Sequence, residues 1–439
     1  MKTTYLLLFS LIPTLSLRAE NWHDHAEGAS ARFGSSLTIR EVTRSVLASN
    51  PAVKEAEKKW EGMKDRIPQA AAWDDPKLSA SSRLGRFVSV SPNAFMDQAV
   101  SIEQMLPISG KNRSRARIAA AEALSAFEDV RRQQIDVLAK ARASFFRLTN
   151  AYAQLELNRK NLVSLKDIAE ISRSRYAVGA ETAADALVAE TEASKLLESA
   201  HDLLKALAAE QSQINVLMNR DAFSPLAPPV DAEIGEPNLS ITRLRALTLA
   251  NRPEVRIAAA AVEAQKARLQ LAYRDWIPDP AVSLQAQRYN AASQAISELD
   301  AGISFTLPWG NHRKHSSEVH EAEENLDAAR EALARAQTES VGLLRDALDT
   351  VETKRHHVEL FRDKIVPQAR QAFVANQLSY TSGKAGFSDW ITAERNLRDL
   401  ESMARQHLSD YQAALAELEA VVGADLSIFP PESTGKDTK

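Results

Sequence analysis

Leu106-Pro107-Ile108-Ser109-Gly110 and Leu307-Pro308-Trp309-Gly310-Asn311 are two versions of one junction, and the chain holds further pairs of the same kind. Asn50-Pro51-Ala52-Val53 returns as Arg252-Pro253-Glu254-Val255, and Asp75-Pro76-Lys77-Leu78-Ser79 returns as Asp279-Pro280-Ala281-Val282-Ser283. Arg175-Tyr176-Ala177-Val178-Gly179 matches Leu378-Ser379-Tyr380-Thr381-Ser382-Gly383, aligned on the tyrosine and the glycine. Partners lie about 200 residues apart throughout, which marks a duplicated unit and not a short solenoid repeat. Both halves must then share one architecture.

Composition limits what that architecture can do. Ala, Leu, Glu, Arg and Gln dominate the 439 residues, while glycine and proline are sparse, as in long-helix proteins. A net charge of −4 gives no basic surface for nucleic acid. The absence of cysteine removes disulfides, thiolate metal sites, cysteine catalysis and a lipid-modified N-terminal cysteine. Lys2, the apolar run from Tyr5 to Leu17 and the small Ala19 read as a secretory signal over 1–19. That run is too short to span a membrane, and no later stretch reaches about 18 consecutive apolar residues. The expected mature chain is therefore exported and is not a helical membrane protein.

Along the first half, 37–224, the pattern predicts a helix from Leu37 to Ile67, a strand pair ending at Leu106, a helix from Lys111 to Tyr176 and a return helix to Asn219. Thr182 is placed to cap the return helix. A Pro-rich linker occupies 225–238, and the second half, 239–423, repeats the order before a tail over 424–439. Its elements fall at 241–274, 281–307, 312–380 and 388–422, and Pro367 predicts a kink or local break in the long helix. In each half the two short helices together match the long one in length. Each half thus reads as one long helix, roughly 100 Å in the first half at 1.5 Å per residue, paired with two shorter helices end to end. Such a rod buries one stripe and leaves flanks that need partners.

The strands carry the environment. Ala301, Ile303, Phe305 and Leu307 share one face, and Asp300, Gly302, Ser304 and Thr306 the other. Val282, Leu284 and Ala286 alternate with Ser283, Gln285 and Gln287; Val100, Ile102 and Leu106 alternate with Ser101, Glu103 and Met105; Leu78, Ala80 and Leu84 alternate with Ser79, Ser81 and Arg83. A small soluble sheet with one wet face gives this pattern. So does an outer-membrane barrel, whose strands have about this length. Export, the lack of spanning helices and two strand pairs at equivalent positions favour the barrel. Four strands fall short of the roughly eight that close the smallest membrane barrels, so a barrel needs several copies of the chain.

These residues resemble the TolC-like outer-membrane efflux factor family, outer membrane efflux proteins. The resemblance covers nearly the whole mature chain. Its carriers are the duplication, the Leu106-Pro107-x-x-Gly110-Lys111 junction with its Leu307-Pro308 counterpart, Trp276-Ile277-Pro278-Asp279-Pro280, and two tip motifs: Arg175 to Gly179 followed by Asp185, and Tyr380 to Gly383 followed by Asp389. Gln104-x-Leu106-Pro107-x-x-Gly110-Lys111 is most similar to the heavy-metal branch of CzcC and CusC relatives. The family implies a mainly α chain with a small β part: a duplicated long-helix coiled-coil unit whose four β-strands join an oligomeric transmembrane β-barrel above a periplasmic α-helical tunnel. It implies a homotrimer set in outer-membrane lipid, working with a periplasmic adaptor (membrane fusion) protein and an inner-membrane efflux pump. It implies no cofactor and no catalytic site.

The candidate site residues sit at the tips. Gly179 and Gly383 lie where antiparallel helices reverse, a position that favours positive φ. By resemblance the tips are also where the adaptor docks and the pore closes, with Tyr176, Val178, Gly179, Tyr380 and Gly383 as the contact set. Asp185 and Asp389 follow the two glycines at one offset. First-turn aspartates suit the helix dipole; copies of one carboxylate around a pore axis also make a cation-selective ring. By resemblance Asp389 matches the outer of two constricting aspartates; the inner position is Thr392, with Glu394 nearby, so a single acidic ring and weaker cation selectivity are implied.

The histidines pose the metal question: His23 and His25 around Asp24, then His312, His315 and His320, then His356 and His357. His312 and His315, three apart, could share a helix face, but the sequence positions no third ligand, and no metal site is assigned. Arg113, Arg115, Arg117, Arg313 and Lys314 are either head-group contacts or solvated charges at helix starts. Trp276 and Trp309 belong either to an aromatic belt or to helix packing. No glycine-rich phosphate loop, zinc spacing or nucleophile–base pair is present, so an enzyme is not expected. The expected function is the outer-membrane channel of a tripartite efflux system, a passive exit duct for metal cations or small toxic compounds. The alternatives are the exit duct of a type I protein-secretion system and a soluble periplasmic coiled-coil scaffold.

Overall fold

The computed structural model describes residues 36–83, 96–179, 182–230, 235, 240–289, 293–424 and 426. The expected signal segment, His23, Asp24, His25, Leu84 and most of the tail lie outside the described residues. In chain order the elements are α1 (Ile39–Ser49), α2 (Pro51–Ala71), β1 (Lys77–Ser82), β2 (Met96–Met105), α3 (Lys111–Ala177) and α4 (Ala183–Leu217). The second half gives α5 (Ile241–Asn251), α6 (Pro253–Arg274), β3 (Pro280–Tyr289), β4 (Glu298–Phe305), a 3-10 turn (Pro308–Asn311), α7 (His312–Leu360), a π-turn (Phe361–Ile365), α8 (Val366–Thr381) and α9 (Phe387–Val422). The chain is mainly helical with one small antiparallel sheet, as the sequence predicts.

Three expectations change in detail. The helices read as single elements from Leu37 and from Ile241 are each broken, at Asn50 (φ −60°, ψ 126°) and Arg252 (φ −63°, ψ 124°). Pro51 and Pro253 cause this, because a residue before proline is pushed out of the helical region. Pro68 does not end its helix; it lies inside α2, which runs on to Ala71. Pro367, which cannot donate a backbone hydrogen bond, does not break the long helix. The π-turn immediately ahead absorbs it, and helix continues to Thr381.

The breaks join the short helices end to end. The Asn50 amide donates to Leu217 O at 2.9 Å, and the Ser49 hydroxyl donates to Met218 O at 2.7 Å, so the end of α4 abuts the α1–α2 break. Beside that joint, Val42, Val46, Val137, Phe145, Leu148 and Ile214 form the core of the first half. The second half repeats the joint: the Arg252 guanidinium donates to Val421 O at 3.0 Å, and Leu244, Leu344, Leu415 and Leu418 form the matching core. Gly423 must be glycine there, since its φ is +75° and a Cβ would sit 3.1 Å from Arg252 Cα and Asn251 O. The halves then meet side by side, with α6 and α9 packed along α3.

The sheet has the order β1-β2-β3-β4, so β2 and β3 join the two hairpins into one surface. Its register aligns Leu78, Ile102, Leu284 and Ala301 across one face, followed by Ala80, Val100, Ala286 and Leu299. The opposite face carries Ser79, Ser101, Gln285 and Asp300, then Lys77, Glu103, Ser283 and Gly302. Among the described residues nothing covers the apolar rows: Leu78 is 73% exposed and Ile303 67%. Among the described residues no helix is long and apolar enough to cross a membrane.

Candidate functional site

The far end of the helices gathers the predicted tip residues. Gly179 (φ +74°) and Gly383 (φ +75°) both reverse the chain in the left-handed region, with their N–H groups donating to Tyr176 O at 2.9 Å and Tyr380 O at 3.0 Å. The two tips touch. Arg175 donates from Nη1 to Tyr380 O at 3.2 Å, and its guanidinium lies 4.6 Å above the Tyr380 ring.

The two tyrosines, placed together by sequence, part company. Tyr176 is half exposed and Val178 is 79% exposed, but Tyr380 is 2% exposed. The Tyr380 ring packs 4.7 Å from Trp390 and 6.0 Å from Phe387, over Leu165, Ile168, Ala189 and Ile391. Tyr380, expected in the docking set, is buried instead. It holds the tip together and presents no surface, because the turn after it folds Phe387 and Trp390 back on the ring.

Both candidate pore carboxylates are turned onto their own helix starts. Asp185 Oδ2 accepts from Thr182 N at 3.2 Å and Thr182 Oγ1 at 2.8 Å; Asp389 Oδ2 accepts from Gly386 N at 3.3 Å. These bonds satisfy donors that a helix start leaves free. Asp389 remains exposed, whereas Asp185 is partly covered.

Next to the tip lies a buried ionic cluster that sequence reasoning missed apart from Glu394. Glu192 of α4 meets Lys195 at 2.8 Å, Arg395 at 2.9 Å and Arg398 at 3.3 Å, and Arg398 also reaches Glu394 at 3.3 Å. The carboxylates behave oppositely. Burial raises the Glu192 carboxyl, but bonds from Lys195, Arg395 and Arg398 outweigh this and hold it at about 2. Glu394 is 5% exposed. Burial dominates there, and the Arg398 charge does not offset it, so its carboxyl is pushed up to about 7.

The histidines separate into two places. His312 and His315 pack on Trp276 with centroids 5.2 and 5.6 Å away, and His315 Nδ1 lies 2.9 Å from Glu318. Trp276 is therefore a packing residue, while Trp309 is exposed. The His357 ring lies tilted, 5.0 Å from that of His407, a residue no sequence pattern singles out, and the Phe361 ring of the π-turn lies 4.6 Å from His407. Among the described residues no three His, Asp or Glu are grouped to hold a metal ion. At the other end, Asp279 ties the halves beneath the sheet. It accepts from Ser109 N and Oγ at 2.8 Å each and lies 3.3 Å from Lys111 Nζ, while Arg274 donates to Ser109 O at 2.7 Å. Arg115 and Arg117 bond to Asn112 and Gln270, so these two basic residues serve packing.

A duplicated long-helix unit carrying a sheet with one bare apolar face defines the class of outer-membrane channel subunits. The outer membrane efflux protein family matches residues 42–220 and 244–424, and the chain belongs to that family. It is 24% identical over 365 residues to the cobalt-zinc-cadmium resistance protein CzcC of Cupriavidus metallidurans, covering 82% of this chain and 84% of that protein. The solved structure of CusC superposes with a TM-score of 0.76 at 15% identity, over 90% of this chain and 94% of the other. The outer membrane protein VceC of Vibrio cholerae gives 0.73 at 18% identity, over 88% and 96%. The family and these neighbours are channels of efflux systems and not enzymes.

Proposed function

We propose that the chain is the outer-membrane component of a tripartite efflux system. Three copies join their sheets into one barrel in outer-membrane lipid and their helices into one periplasmic tunnel. The duct is passive: an inner-membrane pump supplies the energy, and a periplasmic adaptor connects the two. The supporting observation is the sheet itself: among the described residues its apolar rows are bare on one face, polar rows line the other, and both edge strands are free. A soluble scaffold has no use for such a face. The CzcC relative, whose name records resistance to cobalt, zinc and cadmium, favours divalent metal cations as cargo over a secreted protein. The exposed tip residues Tyr176, Val178, Gly179 and Gly383 form the adaptor-docking end, and Asp389 with Asp185 forms the constriction. Deleting the gene and measuring export of cobalt, zinc, cadmium and a panel of organic toxicants side by side tests the reading. Selective loss of metal tolerance, restored by the intact gene, is expected; unchanged export of every compound overturns it. Replacing Asp389 by alanine is expected to raise single-channel conductance and weaken cation preference in a planar bilayer, and unchanged values remove it from the constriction.

A further inference from the structure

The sheet contains its own template for the contact it lacks. Inside the chain β2 of the first half pairs with β3 of the second, aligning Gln104 with Val282, Ile102 with Leu284 and Ala99 with Gln287. The repeat makes β4 the counterpart of β2, through Leu106-Pro107 and Leu307-Pro308. It makes β1 the counterpart of β3, through Asp75-Pro76 and Asp279-Pro280. Replacing each residue by its counterpart turns the observed pairs into Phe305 with Leu78, Ile303 with Ala80, and Asp300 with Arg83. In one chain these cannot meet, because β1 and β4 are opposite edges of the sheet, three strand spacings or roughly 14 Å apart.

We propose that β4 of one copy pairs antiparallel with β1 of a second copy in this register, so that Asp300 and Arg83 face each other across the junction. The assignment rests on the trimeric channel reading above and deepens it, fixing the register and the charge pair at the seam between copies. Two features of the structure agree with it independently of the repeat. The pairs keep the faces in step: Phe305, Ile303, Leu78 and Ala80 all belong to the apolar face, while a slip of one residue would carry one edge's apolar row into the lumen. The charges are also complementary. Arg83 continues the β1 edge, its N–H bonded to Asp97 O at 2.8 Å and its side chain exposed, and Asp300 is exposed on the polar face of β4. The polar tie below the sheet has the same logic. Asp279 holds the Ser109 turn within the chain; its counterpart Asp75 is exposed, and so are Trp309, Gly310 and Asn311 of the second turn. In the assembly Asp75 of one copy lies beneath that turn of the next.

The chain has no cysteine, so introduced pairs report cleanly. Full-length protein carrying Arg83→Cys and Asp300→Cys is expressed in cells, oxidised in isolated outer membranes and run under non-reducing conditions. Covalent dimers and trimers are expected, roughly tenfold above either single variant, because only directly opposed strands bring Cα atoms within disulfide reach. Arg83→Cys with Glu298→Cys probes a slip of two residues, which would also set opposite charges together, and is expected to cross-link far less. More cross-linking by the Glu298 pair, or none by either pair while the protein still runs as a trimer in native gels, overturns the register alone. A monomer in native gels overturns the channel reading and the register with it. As a second arm, Asp300→Arg is expected to lower the dissociation temperature of the trimer, and adding Arg83→Asp is expected to restore it. No restoration counts against the pairing.

Discussion

α2 and α6 are the same helix of the repeat, and they live differently. α6 lies between α3 and α7 and buries Pro253, Val255, Ala260, Val262, Ala264, Ala267 and Ala272. α2 packs along α3 and buries only Val53 and Ala56. On the proposed assembly, the duplicated unit uses one copy of its interface inside the chain and keeps the second for a neighbouring copy. The same imbalance runs through the long helices: α3 buries Phe145, Phe146, Leu148 and Leu165 among many others, whereas α7 buries Leu326, Ser340, Leu344 and Val351.

The sharpest way to break the comparison is one substitution made in both helices. Ala264 of α6 and Gly62 of α2 are counterparts; Ala264 is 5% exposed, and nothing lies within 4 Å of a Cβ built on Gly62. Ala264→Glu buries an unpaired charge and is expected to destabilise the chain by about 3 kcal/mol or more, read as loss of folded protein in outer membranes. Gly62→Glu is expected to leave chain folding intact and to lower trimer recovery. Equal behaviour of the two would mean that α2 has no second neighbour.

The tips offer the next test. Tyr380→Ala opens a cavity beside Trp390 and is expected to cost roughly 3 kcal/mol, seen as faster amide exchange across the α8–α9 turn. Tyr176→Ala touches an exposed side chain and is expected to stay within about 0.5 kcal/mol while weakening adaptor capture. The reverse order would overturn the assignment of packing to one tyrosine and surface to the other.

The smallest effect concerns the two buried glutamates. With its carboxyl raised from 4.5 to about 7, folded Glu394 keeps a proton that the unfolded chain releases. Its contribution therefore falls as pH rises from 4.5 through about 7, then levels off. Glu192, lowered from 4.5 to about 2, contributes fully above 4.5 and loses that contribution only as pH falls through about 2. Glu394→Gln should flatten the decline in melting temperature between about pH 5 and pH 8, a change of a few degrees, and leave the acid limb set by Glu192 intact. A decline that persists in the variant would place the titrating group elsewhere.

Much of the fold was legible because the repeat and the two periodicities are local properties of sequence. Strand alternation at Ala301 to Leu307 and helical runs from Lys111 and His312 need no knowledge of distant contacts. The breaks at Asn50 and Arg252 were readable from Pro51 and Pro253, yet the strong helical pattern on either side concealed them. The tips were found through Gly179 and Gly383, whose positive φ leaves a mark on residue choice. What escaped has no local mark. Arg175 on Tyr380, Glu192 on Arg395 and Arg398, and His407 on His357 join positions far apart along the chain, where no spacing rule operates. Two tyrosines in matching motifs likewise give no hint that one points inward.

The bare edges of β1 and β4 have a consequence for how the protein is made. A single copy in transit presents two rows of unpaired backbone groups beside an uncovered oily surface, the arrangement that seeds intermolecular clumping. The serines of β1 and its leading Lys77 blunt that hazard without removing it. If three copies assemble as proposed, delivery to the bilayer and pairing with further copies must outpace this self-adhesion.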